Sequence, residues 1–294
     1  MSDPRENSID ERSVDWRNVV SARYAVQQTL RYEYDRPIAN LRHQLIVVPR
    51  RWHLDQERLA NNLWASDVGP LQLMSDEFGN DVAAVSVPRV EREITFSLEA
   101  TILRDRRLGN TCATAHDLID PRWIGGRRLT RPNDALAEAA AELRSMNPNP
   151  HELADAIVHF VHAHMTYTKD VTDVFTTAST AFAQGRGVCQ DYAHIAIALA
   201  RAAGLPARYV SGHLLGEGAT HAWVEFLVAD RVHGPLVLSY DPTRGKQTDY
   251  RYIVVAIGRD YDDVAPTSGV FTGETKSLLH GQQLVRLLEV AYAA

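Results

Sequence analysis

The chain has 294 residues, 45% of them hydrophobic and 23% charged, which is an ordinary globular composition with enough apolar material for a real core. A formal net charge of -6 argues against a nucleic acid or an anionic membrane as the main partner. No apolar run approaches the ~18 residues of a membrane span.

Residues 1–18 are polar and carry no apolar stretch of the kind a secretory signal needs, so they read as a disordered tail and the chain as cytoplasmic. From Ala22 to Tyr34 the sequence alternates, with Tyr24, Val26, Leu30, Tyr32 and Tyr34 on one face of a strand. Leu41 to Val48 is a second apolar run. Phe78-Gly79-Asn80-Asp81 is a turn signal before Val82 to Val87. Ile94, Phe96, Leu98, Ala100 and Ile102 then alternate with polar residues, the clearest strand in the chain. Antiparallel strands with turns between them predict a β-rich, sandwich-like domain over residues 19–115. Residues 116–134, with Gly125-Gly126 and several arginines, read as a linker to a second domain over 135–294.

That second domain opens with helical patterns over Ala135–Met146 and Glu152–Met165, separated by Asn149-Pro150. His159, His162 and His164 lie near the end of the second helix. No cysteine or carboxylate completes a metal-ligand spacing there, so no metal is assigned and the histidines read as partners of the helix dipole. The next stretch is Gly185-Arg186-Gly187-Val188-Cys189-Gln190-Asp191-Tyr192-Ala193-His194. It leads into an amphipathic helix from about Cys189, stopped by Gly204-Leu205-Pro206. A cysteine at a helix N-terminus meets unpaired backbone N–H groups and the positive end of the macrodipole, which favour a thiolate. Strands follow at Ala207–Leu215, His221–Leu227, Leu236–Tyr240 and Arg251–Ile257. Helices followed by consecutive strands give an α+β class.

Cys189 begins a helix, His221 begins a strand and Asp241 ends the next one. Each stands at an element terminus, where side chains are presented rather than buried. Brought into line, they form a nucleophile, a base and an orienting carboxylate. Cys112 has no motif around it and reads as an incidental thiol. Two cysteines make no disulfide framework.

Four stretches closely resemble the bacterial transglutaminase-like family: Gly185 to Ala193, Ala203-Gly204-Leu205-Pro206-Ala207-Arg208-Tyr209-Val210-Ser211-Gly212, His221-Ala222-Trp223-Val224-Glu225, and Asp241-Pro242-Thr243. Tyr32-Glu33-Tyr34-Asp35-Arg36-Pro37 and Asp76-Glu77-Phe78-Gly79-Asn80 resemble the β-rich domain that precedes the core in these proteins. Gly258 to Pro266 is also familiar from them. The resemblance implies a papain-like fold with a Cys189–His221–Asp241 triad, no metal and no cofactor. It also suggests a strand over Gln282–Tyr292, which is ambiguous by pattern alone. Family members are often associated with ATP-grasp peptide-ligase-like proteins, which makes such a protein a possible partner. The family includes protein cross-linkers, cysteine proteases, amidases and non-catalytic modules.

The chemistry common to the catalytic members is attack of a thiolate on an amide carbonyl, a thioester acyl-enzyme, and its resolution by water or an amine. Oxyanion donors come from the Cys189 backbone N–H and from Gln190 or Tyr167. Trp223, on the His221 face of its strand, is either a wall of the substrate channel or core. Asp260, Asp262 and Asp263 form either an acidic lip selecting a cationic substrate or a solvated loop. The expected function is hydrolysis of peptide or protein amide bonds. The alternatives are protein-glutamine acyl transfer to amines and, less favoured, a non-catalytic scaffold.

Overall fold

The computed structural model of the chain describes residues 8–109, 113–230 and 232–293. Cys112 lies outside the described residues. In β1 (Val19–Tyr34) the strand alternation places Ala22, Tyr24, Val26, Gln28 and Leu30 inward. The strands β2 (Ile38–Leu45), β3 (Gln56–Ala65), β4 (Asp81–Val90) and β5 (Glu93–Asp105) complete the first run. The helices α1 (Asp134–Met146), α2 (Pro150–His164), α3 (Ala178–Gln184) and α4 (Cys189–Ala202) follow. Next come β6 (Ala207–Leu214), β7 (Thr220–Asp230), β8 (Gly234–Asp241) and β9 (Tyr252–Gly258). The described chain closes with β10 (Thr267–Thr272) and β11 (Ser277–Tyr292).

These elements make a β-rich sandwich joined to a helix-on-sheet core, an α+β arrangement. One sandwich sheet has the order β11-β1-β5-β3 and the other contains β10-β2-β4. Tyr24, Val26, Leu41, Leu45, Phe96, Leu98 and Ile102 fill the space between them. In the core, β8-β7-β6-β9 form an antiparallel sheet. Helix α4 lies against that sheet with Gln190 to Arg201 all buried, the signature of a helix surrounded on every side.

Three expectations about domain limits change. The chain from 135 does not stay in one unit: β10 pairs with β2, and β11 pairs with β1 along its whole length, from Val19↔Tyr292 to Tyr34↔Ser277. The first and last long strands thus close one sheet, and Gln282–Tyr292 lies in a strand. Residues 8–18 are not a disordered tail. Ile9 N–H donates to Leu287 O at 2.9 Å, Trp16 Nε1 donates to Glu11 O at 3.2 Å, and Arg251 stacks over the Trp16 ring. The segment 116–134 is packed rather than a free linker. Its Trp123, Leu129 and Thr130 are buried, and the buried Arg201 guanidinium donates to Trp123 O, Gly125 O and Thr130 Oγ1.

The sandwich grips the core at β9, whose outer edge has no strand partner in its sheet. Gln56 Nε2 donates to Val254 O and Gln56 Oε1 accepts from Val254 N–H, both at 2.8 Å. Asn80 repeats the pair at Ile257, at 2.8 and 2.9 Å. A third tie is ionic: Glu225 of β7 receives Arg208 Nε at 2.6 Å and His53 Nε2 at 2.7 Å. Burial holds His53 below its ordinary pKa despite the neighbouring carboxylate, so it donates as a neutral ring while Arg208 carries the charge. Glu225 itself is fully buried; burial works against its charged form, but His53 and Arg208 outweigh that and hold the carboxyl far below its usual range.

Removing one member of such a buried cluster strands the other charge, which typically costs about 3–5 kcal/mol. Glu225→Ala should therefore lose about that much in urea unfolding. Arg23→Ala, which breaks a pair with Glu289 whose side chains are 41% and 62% exposed, should lose about 1 kcal/mol or less. Equal losses would show that the Glu225 cluster holds nothing together.

Candidate active site

Helix α4 begins at Cys189 because its first turn is locally capped. Val188 N–H donates to Asp191 Oδ2 at 2.8 Å, the reciprocal half of a capping arrangement, and Thr172 Oγ1 holds the same oxygen at 2.7 Å. A Cβ on Gly187 would lie 2.4 Å from Asp191 Oδ2, so the residue beside this carboxylate has to be glycine. Cys189 thus occupies the first helical position, half-buried. Its backbone N–H is among those a helix N-terminus leaves without an intrahelical partner.

Strands β7 and β8 deliver the next two residues. Their register, Val224↔Tyr240, sets His221 at one end of β7 near Asp241 at the end of β8. His221 Nε2 lies 2.7 Å from Asp241 Oδ2, with the two side chains 5% and 0% exposed. The Cys189 thiol lines the same cavity as the His221 ring and is close enough to push the imidazole pKa up. Glu217 Oε2 stands 3.6 Å from His221 Nδ1.

Asp241 is fully engaged. Its Oδ2 also accepts from Tyr252 Oη at 2.8 Å and its Oδ1 accepts from Thr243 N–H at 2.9 Å, with Arg244 Nε at 3.7 Å. Burial alone pushes the Asp241 carboxyl up, but His221 and these donors outweigh it and hold it below its ordinary value. Burial likewise pushes His221 down, but the bonds and charges of Asp241 and Cys189 push it up further, to about 10. The imidazolium is therefore the resting form at neutral pH.

Cys189 and His221 open onto a cavity of about 380 Å³, also lined by Gln190, Tyr167, Lys169 and Thr172. Gln190 and Tyr167 are thus brought to the same place as the thiol. Gln190 Nε2 is already turned toward Val174 O at 3.3 Å, whereas Tyr167 is 48% exposed at the cavity rim. Trp223 is not a lining residue. It is 1% exposed, stacks behind the His221 ring with centroids 6.3 Å apart, and donates from Nε1 to Ser239 Oγ at 3.1 Å.

Asp260 lies elsewhere, and the acidic lip does not form. Its side chain is fully buried and caps a short turn by accepting from Asp262 N–H at 3.1 Å. Asp263 is paired with Arg259, and the exposed Asp262 with Arg128. Two of the helix histidines are engaged locally: His159 Nδ1 meets Asp155 O and the Asp155 carboxylate, and His164 Nε2 meets Phe182 O while its ring stacks on Phe160 and Phe182.

Sequence reasoning missed Tyr252, Glu217 and Arg244. Arg244 Nη2 binds Glu217 Oε1 at 2.5 Å, which ties the loop before β7 to the turn after Asp241. The available signal was Tyr252 itself, an inward aromatic with a polar tip at the start of β9, in the same sheet as the His221–Asp241 pair. Such hydroxyls usually find a partner when buried.

Comparison with known proteins bears on this arrangement. The family model of the transglutaminase-like superfamily matches residues 137–256, and that of the bacterial transglutaminase-like N-terminal region matches residues 24–103. With both matched in this order, the chain belongs to the transglutaminase-like superfamily, in the form that carries the bacterial N-terminal region. A protein of Mycobacterium leprae is 33% identical over 152 residues, 48% of this chain; the match spans 52% of that relative's length, about half. A Mycobacterium tuberculosis protein is 28% identical over 292 residues, covering 87% of this chain and 90% of the relative. A crystal structure from Cytophaga hutchinsonii, described as a candidate cysteine protease, superposes with a TM-score of 0.75 at 21% identity, over 93% of each chain. It establishes the fold. Among the described residues no helix is long and apolar enough to cross a membrane.

Asp241→Asn removes one of the two groups that lift His221 and leaves Cys189 alone against burial. The imidazole should then titrate well below about 10, followed by 15N NMR of the ring. An unchanged titration would disconnect Asp241 from the histidine. The sign for stability follows. The wild-type contribution of this group is fully present below pH 6.5 and is lost as pH rises through about 10, and in the variant this loss should be smaller and shifted to lower pH.

Proposed function

We propose that the chain is a cysteine-dependent hydrolase of peptide or amide bonds that works through a Cys189 thioester, with His221 as acid and base and Asp241 as its orienter. The observation that carries this reading is the position of His221. It is hydrogen-bonded to Asp241 and shares an open cavity with a thiol at a helix N-terminus, which acts on it electrostatically.

The thiolate attacks the carbonyl carbon and a C–S bond forms. The oxyanion accepts from the Cys189 backbone N–H, with Tyr167 the side-chain donor best placed beside the cavity. The His221 imidazolium gives its proton to the leaving nitrogen as the C–N bond breaks. His221, now neutral, takes a proton from water, whose oxygen attacks the thioester and restores the thiolate. Asp241, held by Tyr252 and Thr243, keeps the ring aligned through both steps. Water is the acceptor in this reading because the cavity is open and has Lys169 and Asp170 in its lining. Transfer to an amine needs a site that excludes water, and the cavity lining of Lys169, Asp170, Thr172 and Gln190 does not supply one.

Cys189→Ala should abolish turnover of peptide amides. His221→Ala should lower it by about 10²–10⁴, the usual weight of general acid–base catalysis. In wild type, iodoacetamide should label Cys189 rapidly at pH 6, and His221→Ala should lose that fast labelling, read by mass spectrometry. Labelling that is slow in both proteins would remove the activated pair and with it the hydrolase. Product analysis with added primary amines separates hydrolysis from transfer: dominant amine adducts at millimolar amine would replace this reading with acyl transfer.

A further inference from the structure

A second cavity of about 280 Å³ adjoins the cysteine cavity and shares Thr220, Tyr261 and Pro266 with it. Its floor comes from the sandwich, from Gln28 and Leu30 of β1 and from Leu279, Gly281 and Gln283 of β11. Its rim is Gly218 and Ala219, just before β7. The β1–β11 register, Gln28↔Gln283 and Leu30↔Gly281, explains why these side chains share one face. Gln283 Nε2 donates to Ala219 O at 3.2 Å and pins the rim to the floor. The volume lies just under the ~300–1,000 Å³ of sites that enclose a whole small ligand. It suits one side chain of something longer.

Two observations define which side chain. None of the lining residues is charged. Gln28, 8% exposed and on this floor, carries an Oε1 with no hydrogen-bond partner among the described residues. A buried amide oxygen left unpaired is unfavourable, and the terminal torsion of glutamine is broad and roughly two-fold, so either end of the amide can turn to an incoming group. A primary amide meets it reciprocally, donating and accepting at once. The methylene stem of such a residue would rest on Leu30, Leu279 and Pro266.

We infer that this inter-domain cavity is a specificity subsite of the proposed hydrolase. It takes an asparagine or glutamine side chain of the substrate chain, next to the amide presented to Cys189. A cationic or anionic residue finds no counter-charge there, and a purely apolar one leaves the Gln28 amide unmatched. The sandwich half then acts in substrate selection as well as in folding. This inference rests on the assignment of Cys189 as the nucleophile, and its test is kept separate from that assignment.

The probe is a set of N-acetylated alanine pentapeptide amides in which glutamine, asparagine, leucine, lysine or glutamate is walked through each position. Binding is measured calorimetrically to the Cys189→Ala chain, which cannot turn the peptides over. At one position glutamine or asparagine should bind about two- to tenfold tighter than leucine, the range of a net neutral hydrogen bond, and tighter still than lysine or glutamate. Adding Gln28→Leu should erase the amide preference at that position. Adding Gly281→Leu, whose Cβ would meet Leu30 Cδ2 at 3.7 Å without a clash, should fill the cavity and abolish discrimination there. Thermal unfolding confirms that each variant is folded, and Gln28→Met stands in if Gln28→Leu is not. Equal binding of all side chains at every position, preference for a charged one, no binding of any peptide, or a ranking unmoved by the Gln28 variant would each overturn the subsite. Iodoacetamide labelling of the wild type judges the nucleophile independently of all these outcomes.

Discussion

An open sheet edge exposes a row of unpaired backbone groups, and β9 is such an edge in the core sheet. The chain covers it with side-chain amides in place of another strand. Gln56 and Asn80 each give one donor and one acceptor to a single β9 residue, Val254 and Ile257. This is strand pairing performed by side chains, and it fixes the register of the sandwich against the core to one residue. The site depends on it, because β9 also carries Tyr252, whose hydroxyl holds the Asp241 oxygen that faces His221. Arg104 of β5 reinforces the same place by donating to Tyr252 O while paired with Asp55. The path from the sandwich to the imidazole is therefore short: Arg104 and Gln56 to β9, Tyr252 to Asp241, Asp241 to His221.

Two buried carboxylates show how this fold treats charge. Asp241 and Glu225 are both fully inaccessible and both surrounded by donors. Glu225 binds a permanent cation, Arg208, and a histidine that burial keeps neutral, so it stays charged whatever the site is doing. Asp241 faces a histidine that is itself pushed up and also contacts a thiol, so its environment changes with the protonation state of the pair. Burying either charge is unfavourable unless its partners are held in place. In the Glu225 cluster the partners come from the sandwich and from β6, which makes it a lock between domains. Around Asp241 they come from β7, β9 and the following turn, which makes it an orienting group. Three hydrogen bonds and the nearby Arg244 leave the Asp241 geometry little freedom to follow the imidazole as that ring gains and loses a proton.

Elements whose cause is local were legible in the sequence. The helix after Gly187, the alternation in β1 and β5, and the strands that begin near His221 and end at Asp241 all follow from spacing and turn residues within a few positions. What escaped was set by long-range pairing. β3 reads Gln-Glu-Arg-Leu-Ala-Asn-Asn-Leu-Trp-Ala, with most of its middle exposed, and carries no apolar alternation. β11 returns to β1 across more than 240 residues, and nothing in its own sequence says which half it belongs to. Asp260 looked like a lip residue because three acidic residues stood in one loop. In the fold each is taken by a cap or an arginine: Asp260 by the Asp262 N–H and Asp263 by Arg259 close in sequence, and Asp262 by the distant Arg128. Tyr252 was missed because its role is defined by Asp241, on a different strand of the sheet.

The segment Gly216–Thr220 is where these long-range constraints meet. Glu217 stands beside His221 and is tied to Arg244. Ala219 O is held by Gln283 of β11. A Cβ on Gly216, whose φ is +85°, would lie 2.3 Å from Glu11 Oε1, so the N-terminal turn presses directly on the loop. Three parts of the chain far apart in sequence, residue 11, strand β11 and the turn after Asp241, therefore fix one five-residue loop that borders both cavities. A loop on the surface of an isolated core would be the most mobile element near the cysteine. Here its backbone and side chains are anchored from the sandwich side, so the shape of the entrance to Cys189 is set by the closing of the β11–β1 sheet. The N-terminal region and the helix-on-sheet core then meet at the candidate site itself, because both halves hold that loop.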